Sequence, residues 1–146
     1  MSDERLNHSD FYGSGLRYNR EKIGKTQQEV ADEAGIDRAQ LSRYENGMIP
    51  GIDTAIKLYN ATHENALACN ASDLYGEELR KRREKAGITQ RQLSNITGID
   101  QSLISRYEGG TPPNIKNAAK MQFICEYIRE QKEYNCTPDV DRLKSW

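Results

Sequence analysis

Thr26-Gln27-Gln28-Glu29-Val30-Ala31-Asp32-Glu33-Ala34-Gly35-Ile36-Asp37-Arg38-Ala39-Gln40-Leu41-Ser42-Arg43-Tyr44-Glu45 reads as two short helices around a glycine corner. Thr26 and Glu29 have the spacing of a capping box, in which a hydroxyl and a carboxylate each satisfy the other residue's backbone amide at a helix start. Gly35 falls where a left-handed residue ends a helix without steric penalty, and Asp37 then suits the N-cap of the next. Asn46-Gly47 closes that helix. Nothing in the stretch alternates with a period of two, so the expectation is an all-α fold.

The stretch recurs. Laying residues 13–61 on residues 76–124 gives 21 identities in 49 ungapped positions, the longest run being Ser42-Arg43-Tyr44-Glu45 with Ser105-Arg106-Tyr107-Glu108. One unit is therefore used twice. Before the corner, Leu16, Arg20 and Ile23 share one face of a helix that Gly24 ends, and Leu79, Arg83, Ala86 and Gly87 repeat the arrangement. After it, Pro50 and Pro113 each introduce a fourth helix, expected to bury Ile52, Ala55 and Leu58 or Ile115, Ala118 and Met121. The expected order is a loose polar arm (1–12), a first domain (13–61), a linker (62–75), a second domain with an extended C-terminal helix (76–134) and a tail (135–146).

Composition excludes several classes. The 146 residues are 36% hydrophobic and carry 21 Lys plus Arg against 22 Asp plus Glu, as expected of a soluble globular protein of one or two small domains. No apolar run exceeds four residues, against the roughly 20 a membrane span needs, and the first residues lack a signal-peptide core. No membrane partner is expected, and the expected location is cytoplasmic. Cys69, Cys125 and Cys136 form no CxxC pair and read as reduced thiols rather than a disulfide framework or metal site. His8 and His63 lie in the arm and the linker, with no Ser/His/Asp or Cys/His pairing and no glycine-rich phosphate loop. Neither catalysis nor a cofactor is expected.

The doubled string Thr-Gln-x-x-[Val/Leu], Gly-Ile-Asp-x-x-x-[Leu/Ile]-Ser-Arg-Tyr-Glu-x-Gly, then Pro and Ile, resembles the phage repressor/Cro (XRE-type) helix-turn-helix family over about two thirds of the chain. The resemblance implies two lambda-repressor-like bundles in tandem plus a C-terminal helix, each bundle placing its third helix in the major groove of double-stranded DNA. It implies base-edge contacts for Arg38, Ala39, Ser42 and Arg43, and for their counterparts Gln101, Ser102, Ser105 and Arg106. The chemistry agrees: arginine reads guanine bidentately, glutamine reads adenine, and alanine touches a thymine methyl. Gln27 and Gln90 match the residue that donates to a phosphate at the start of the second helix. Arg20 with Glu45, and Arg83 with Glu108, match a structural ion pair between the first and third helices. Tyr44 and Tyr107 read as packing at a helix end.

Charge is segregated along the chain. Residues 16–25 carry four bases against Glu21, net +3, and residues 79–91 carry six against Glu84, net +5. The remainder holds −9. Such a division suits a DNA-facing stripe on a near-neutral protein, with Arg17, Arg80, Lys81, Arg82 and Lys85 as phosphate contacts. The first unit has Tyr18 and Asn19 in place of Lys81 and Arg82, so the second is expected to supply more phosphate affinity.

The expected function is a sequence-specific DNA-binding transcriptional regulator, a repressor, with two reading heads. The alternative is a protein-binding module, such as an antitoxin or phage-encoded inhibitor, on the same scaffold. The C-terminal helix bears on that choice. Its first stripe continues through Cys125 and Ile128, while Ala119, Phe123 and Tyr127 form a second. The second stripe needs another surface, whether the chain itself, a second copy making a homodimer, or a protein partner. Val140, Leu143 and Trp146 in the tail have the spacing of a docking turn.

Overall fold

A computed structural model describes residues 8–67, 70–135, 137, 139 and 141. Cys69, Cys136, Val140, Leu143 and Trp146 lie outside the described residues. Within them the chain forms eight α-helices and no strand: α1 (Gly13–Lys22), α2 (Gln27–Ala34), α3 (Arg38–Glu45), α4 (Ile52–Thr62), α5 (Glu77–Ala86), α6 (Gln90–Thr97), α7 (Gln101–Glu108) and α8 (Ile115–Glu133). The chain divides into two compact units, one built on α1–α4 and one on α5–α7 with α8 from Asn117.

Local chemistry sets most helix ends. The Thr26 Oγ1 accepts from the Glu29 amide at 3.1 Å while Glu29 Oε1 accepts from the Thr26 amide at 3.1 Å. Thr89 and Gln92 close the same box at 2.8 and 3.1 Å, with an amide side chain where the first unit has a carboxylate. Gly35 and Gly98 end α2 and α6 at φ 69° and 76°, a region where any β-carbon is strained.

The two expected aspartate caps differ. Asp100 Oδ1 accepts from the Ser102 amide at 2.8 Å and from the Ser102 hydroxyl at 2.6 Å. Both bonds hold the Asp100 carboxyl below its ordinary range. Asp37 makes no side-chain cap bond, which corrects the reading of both aspartates as caps. The residue two on is Ala39, which has no hydroxyl to help hold a carboxylate over the helix start.

The core of the first unit joins Leu16, Val30, Ala31, Leu41, Tyr44 and Leu58. That of the second joins Leu79, Leu93, Ile104, Tyr107, Met121, Ile124, Cys125 and Ile128. Both tyrosines are buried, and Tyr44 Oη accepts from Gln40 Nε2 at 3.0 Å while Tyr107 Oη accepts from Asn117 Nδ2 at 3.2 Å. One expectation about the connecting segments is corrected and one is filled in. Residues 8–12 are not a loose arm: a short 3-10 turn over His8–Asp10 delivers Phe11, 1% exposed, onto the Tyr59 ring at 5.4 Å. Within the expected linker, 62–75, Ala71–Asp73 forms a second short turn and Leu74 is buried, and the two units divide between residues 71 and 72.

Helix α8 buries Ala118, Met121, Cys125 and Ile128, the stripe expected to close the bundle. Of the second stripe, Ala119 is fully buried, and Phe123 and Tyr127 are half-buried against the second unit's own core, their rings parallel at 6.4 Å. Burial pushes the Cys125 thiol up to about 12.

Candidate nucleic-acid interface

Each unit is cross-braced around one buried glutamate at the end of its third helix. In the first, Glu45 Oε2 accepts from Arg20 Nε at 2.7 Å, and Oε1 accepts from Arg20 Nη2 at 3.1 Å and Gln27 Nε2 at 3.2 Å. Arg20 Nη1 donates to the Lys25 carbonyl at 3.0 Å, so the guanidinium also caps the loop after α1. In the second unit the set repeats: Glu108 accepts from Arg83 at 2.7 and 3.0 Å and from Gln90 at 3.2 Å, and Arg83 donates to the Ile88 carbonyl at 3.0 Å. The glutamate side chains are 0% and 5% exposed.

Such a carboxylate must be paired to stay charged. Burial pushes the Glu45 carboxyl up, but hydrogen bonds from Arg20 and Gln27 and the charge of Arg20 outweigh it and leave the group below its ordinary range. Hydrogen bonding to Glu45 and Glu108 in turn raises the pKa of Arg20 and Arg83. The network ties the start of α2 to the end of α3 through α1, and it fixes the angle at which α3 is presented; α5, α6 and α7 are tied in the same way.

The residues expected to face phosphates fall into different environments. Gln27 and Gln90 sit at the first position of α2 and α6, each with one amide hydrogen committed to the glutamate and the other left available. Arg17 donates to Asn46 Oδ1 at 3.1 Å and to Glu45 at 3.4 Å, so it too leans on the end of α3. Arg80 is exposed and paired with Glu77 and Glu84 along its own helix. Lys81, Arg82 and Lys85 lie on the other flank of α5, beside α8, where Arg82 Nη1 donates to Glu126 Oε1 at 2.9 Å. The four expected phosphate contacts of α5, Arg80, Lys81, Arg82 and Lys85, thus fall on two flanks of the helix.

The residues expected to read bases are presented together on each third helix. Arg38, Ala39 and Arg43 on α3 are exposed and Ser42 is partly covered, and Gln101, Ser102, Ser105 and Arg106 on α7 are all exposed. Ser102 donates its hydroxyl proton to Asp100, which leaves its oxygen as an acceptor only. One exposed base went unassigned in the sequence. Arg91, at the second position of α6, stands beside Gln90 with no ion pair among the described residues.

Residues 16–63 match the model of a helix-turn-helix family, and residues 76–134 match that of a helix-turn-helix domain. The chain belongs to the XRE-type helix-turn-helix proteins, with two such domains in tandem. It is a DNA-binding transcription regulator of that type. Comparison with curated proteins and with solved structures returned no match. Among the described residues no helix is long and apolar enough to cross a membrane.

Proposed function

We propose that the protein is a transcriptional repressor that binds its operator with α3 and α7 in the major groove. The observation that carries this is the partition of the arginines. Arg17, Arg20, Arg80, Arg82 and Arg83 are each paired with a carboxylate, whereas all three arginines of the two third helices, Arg38, Arg43 and Arg106, form no ion pair among the described residues, a property they share with Arg91 on α6 and Arg129 on α8. Exposed guanidiniums on a braced helix keep their bidentate donors for an outside acceptor, and guanine O6 and N7 are the acceptors the major groove offers. In this reading Ala39 contacts a thymine methyl, Gln101 reads adenine, and Ser102, an acceptor only, takes a hydrogen bond from a base amino group. Ser42 and Ser105 complete the reading surface.

Gln27 and Gln90 donate their remaining amide hydrogen to phosphates. The buried glutamates orient them, and Arg17, Arg80 and Arg91 add charge alongside. A protein that occupies its operator by such contacts blocks other proteins from the same duplex, which is the repressor's action. The test is selection of bound sequences from a random DNA pool by the full chain, followed by the salt dependence of affinity for the winner. A defined consensus with a steep salt slope supports the reading. Enrichment of no sequence, with affinity that depends on salt alone, defeats it.

A further inference from the structure

The cations of α5 serve two different surfaces. Arg80 faces Glu77 and Glu84, and Arg83 is committed to Glu108. Lys81, Arg82 and Lys85 instead line an open groove of about 310 Å³ with Glu78, Glu126 and Arg129. No lining residue comes from α6 or α7. Both carboxylates are matched, Glu126 by Arg82 at 2.9 Å and Glu78 by Lys81 at 3.6 Å. Lys85 and Arg129 have no carboxylate partner among the described residues, so the walls carry four cations to two anions.

The repeat provides an internal control. Residues that hold the fold recur in both units: Arg83, Gln90 and Glu108 correspond to Arg20, Gln27 and Glu45. Of the groove cations on α5, Lys85 recurs as Lys22, and the others do not. The positions of Glu78, Lys81 and Arg82 are held in the first unit by Gly15, Tyr18 and Asn19. Helix α4 ends at Thr62, the counterpart of Cys125, and the positions of Glu126 and Arg129 fall beyond it on His63 and Ala66, neither of which supplies the matching charge. A hollow lined by Asn19, Lys22, Thr62 and His63 occupies the matching place in the first unit, so the shape belongs to the shared scaffold and the added cations Lys81, Arg82 and Arg129 belong to the second unit.

We propose that this groove binds a phosphate-bearing anion, at a place separate from the reading helix α7. Glu126 holds Arg82 in place while its other N–H donors stay available, which suits the planar fork to phosphate oxygens. The two unmatched cations equal the charge of a phosphate dianion, and the volume is at the small end for a ligand site, roughly 300 to 1,000 Å³. Two sources supply such a group: a free phosphorylated small molecule, or a backbone phosphate of bound DNA. The proposal does not depend on operator reading, because a free anion would bind without DNA.

The experiment titrates the full chain with inorganic pyrophosphate in phosphate-free, low-salt buffer and follows backbone amide shifts. Lys85→Gln/Arg129→Gln and Lys81→Gln serve as variants, and all three positions are exposed, so the melting temperature checks the fold. Saturable shifts at residues 81–85 and 126–129, weakened at least about tenfold in the double variant, are expected for two lost charge-assisted contacts. On DNA, a salt slope lower by about 0.9 per cation removed assigns the groove to backbone phosphate, and an unchanged slope assigns it to the free anion. Pyrophosphate binding equal in wild type and double variant would overturn the proposal. So would an absence of saturable binding together with an unchanged DNA salt slope.

Discussion

Arg83→Ala should unfold the second domain far more readily than its place in a basic helix suggests. The side chain is 13% exposed and makes three hydrogen bonds, two to Glu108 and one to the Ile88 carbonyl. Its removal leaves Glu108, 5% exposed, with Gln90 as its remaining donor. Breaking a buried pair from one side costs about 3 to 5 kcal/mol, because the surviving charge stays buried without compensation. For a domain of this size that corresponds to a fall in Tm on the order of 15 to 30 °C. Arg80→Ala is the control, since its partners Glu77 and Glu84 are exposed and its loss should leave melting almost unchanged. Calorimetry and urea unfolding read the difference, and the double variant Arg83→Ala/Glu108→Ala should lose less than the two single variants combined. Unchanged melting of Arg83→Ala, with DNA affinity reduced as in Arg80→Ala, would refute the reasoning and make Arg83 a phosphate ligand.

Other consequences follow from the same contacts. Glu45 titrates below its ordinary value of about 4.3. Its contribution to the first domain is therefore complete above that value and lost as pH falls through the lower native one. Melting between pH 3 and 7 should show this acid loss, and Glu45→Gln should flatten it; an equal slope in the variant contradicts the assignment. Cys125, buried and pushed up to about 12, should resist N-ethylmaleimide at pH 8 until the chain is unfolded, and labelling of Cys125 itself in the native protein at the rate of a free thiol, read by peptide mapping apart from Cys69 and Cys136, would show the α8 core to be open. Thr26→Ala and Thr89→Ala should each cost about 0.5 to 2 kcal/mol in chemical denaturation, since both capping boxes are closed, and two neutral results would contradict that.

What could be read from the sequence was what is local or repeated. Thr26 with Glu29, and Gly35 with Gly98, define helix ends within one turn of chain, and the family resemblance supplied the pairing of Arg20 with Glu45, both of which recur in the second unit. The inward turn of Gln27 and Gln90 toward glutamates 18 residues away was not legible, since a glutamine at a helix start serves a phosphate or a buried carboxylate equally well. Nor was the pairing of Arg82 with Glu126, 44 residues on, which depends on how α8 lies along α5. Asp37 and Asp100 looked alike, but only Asp100 caps its helix, where the Ser102 hydroxyl adds a second bond that Ala39 cannot offer in the first unit. Phe11 was read as arm because a single aromatic in a polar segment has no periodicity to reveal its destination.

The central claim is that α3 and α7 both read base edges, and the base preference of Arg38→Gln tests it most directly. The substitution gives the first unit the residue that the second has at the matching position, Gln101. On the selected operator, quantitative binding to single-base variants should show one half-site moving from guanine towards adenine at the pair that faces residue 38. A bidentate contact there is worth about 1 to 3 kcal/mol, and the other half-site should keep its preference. Loss of discrimination at both half-sites, or no change at either, would contradict two independent reading heads.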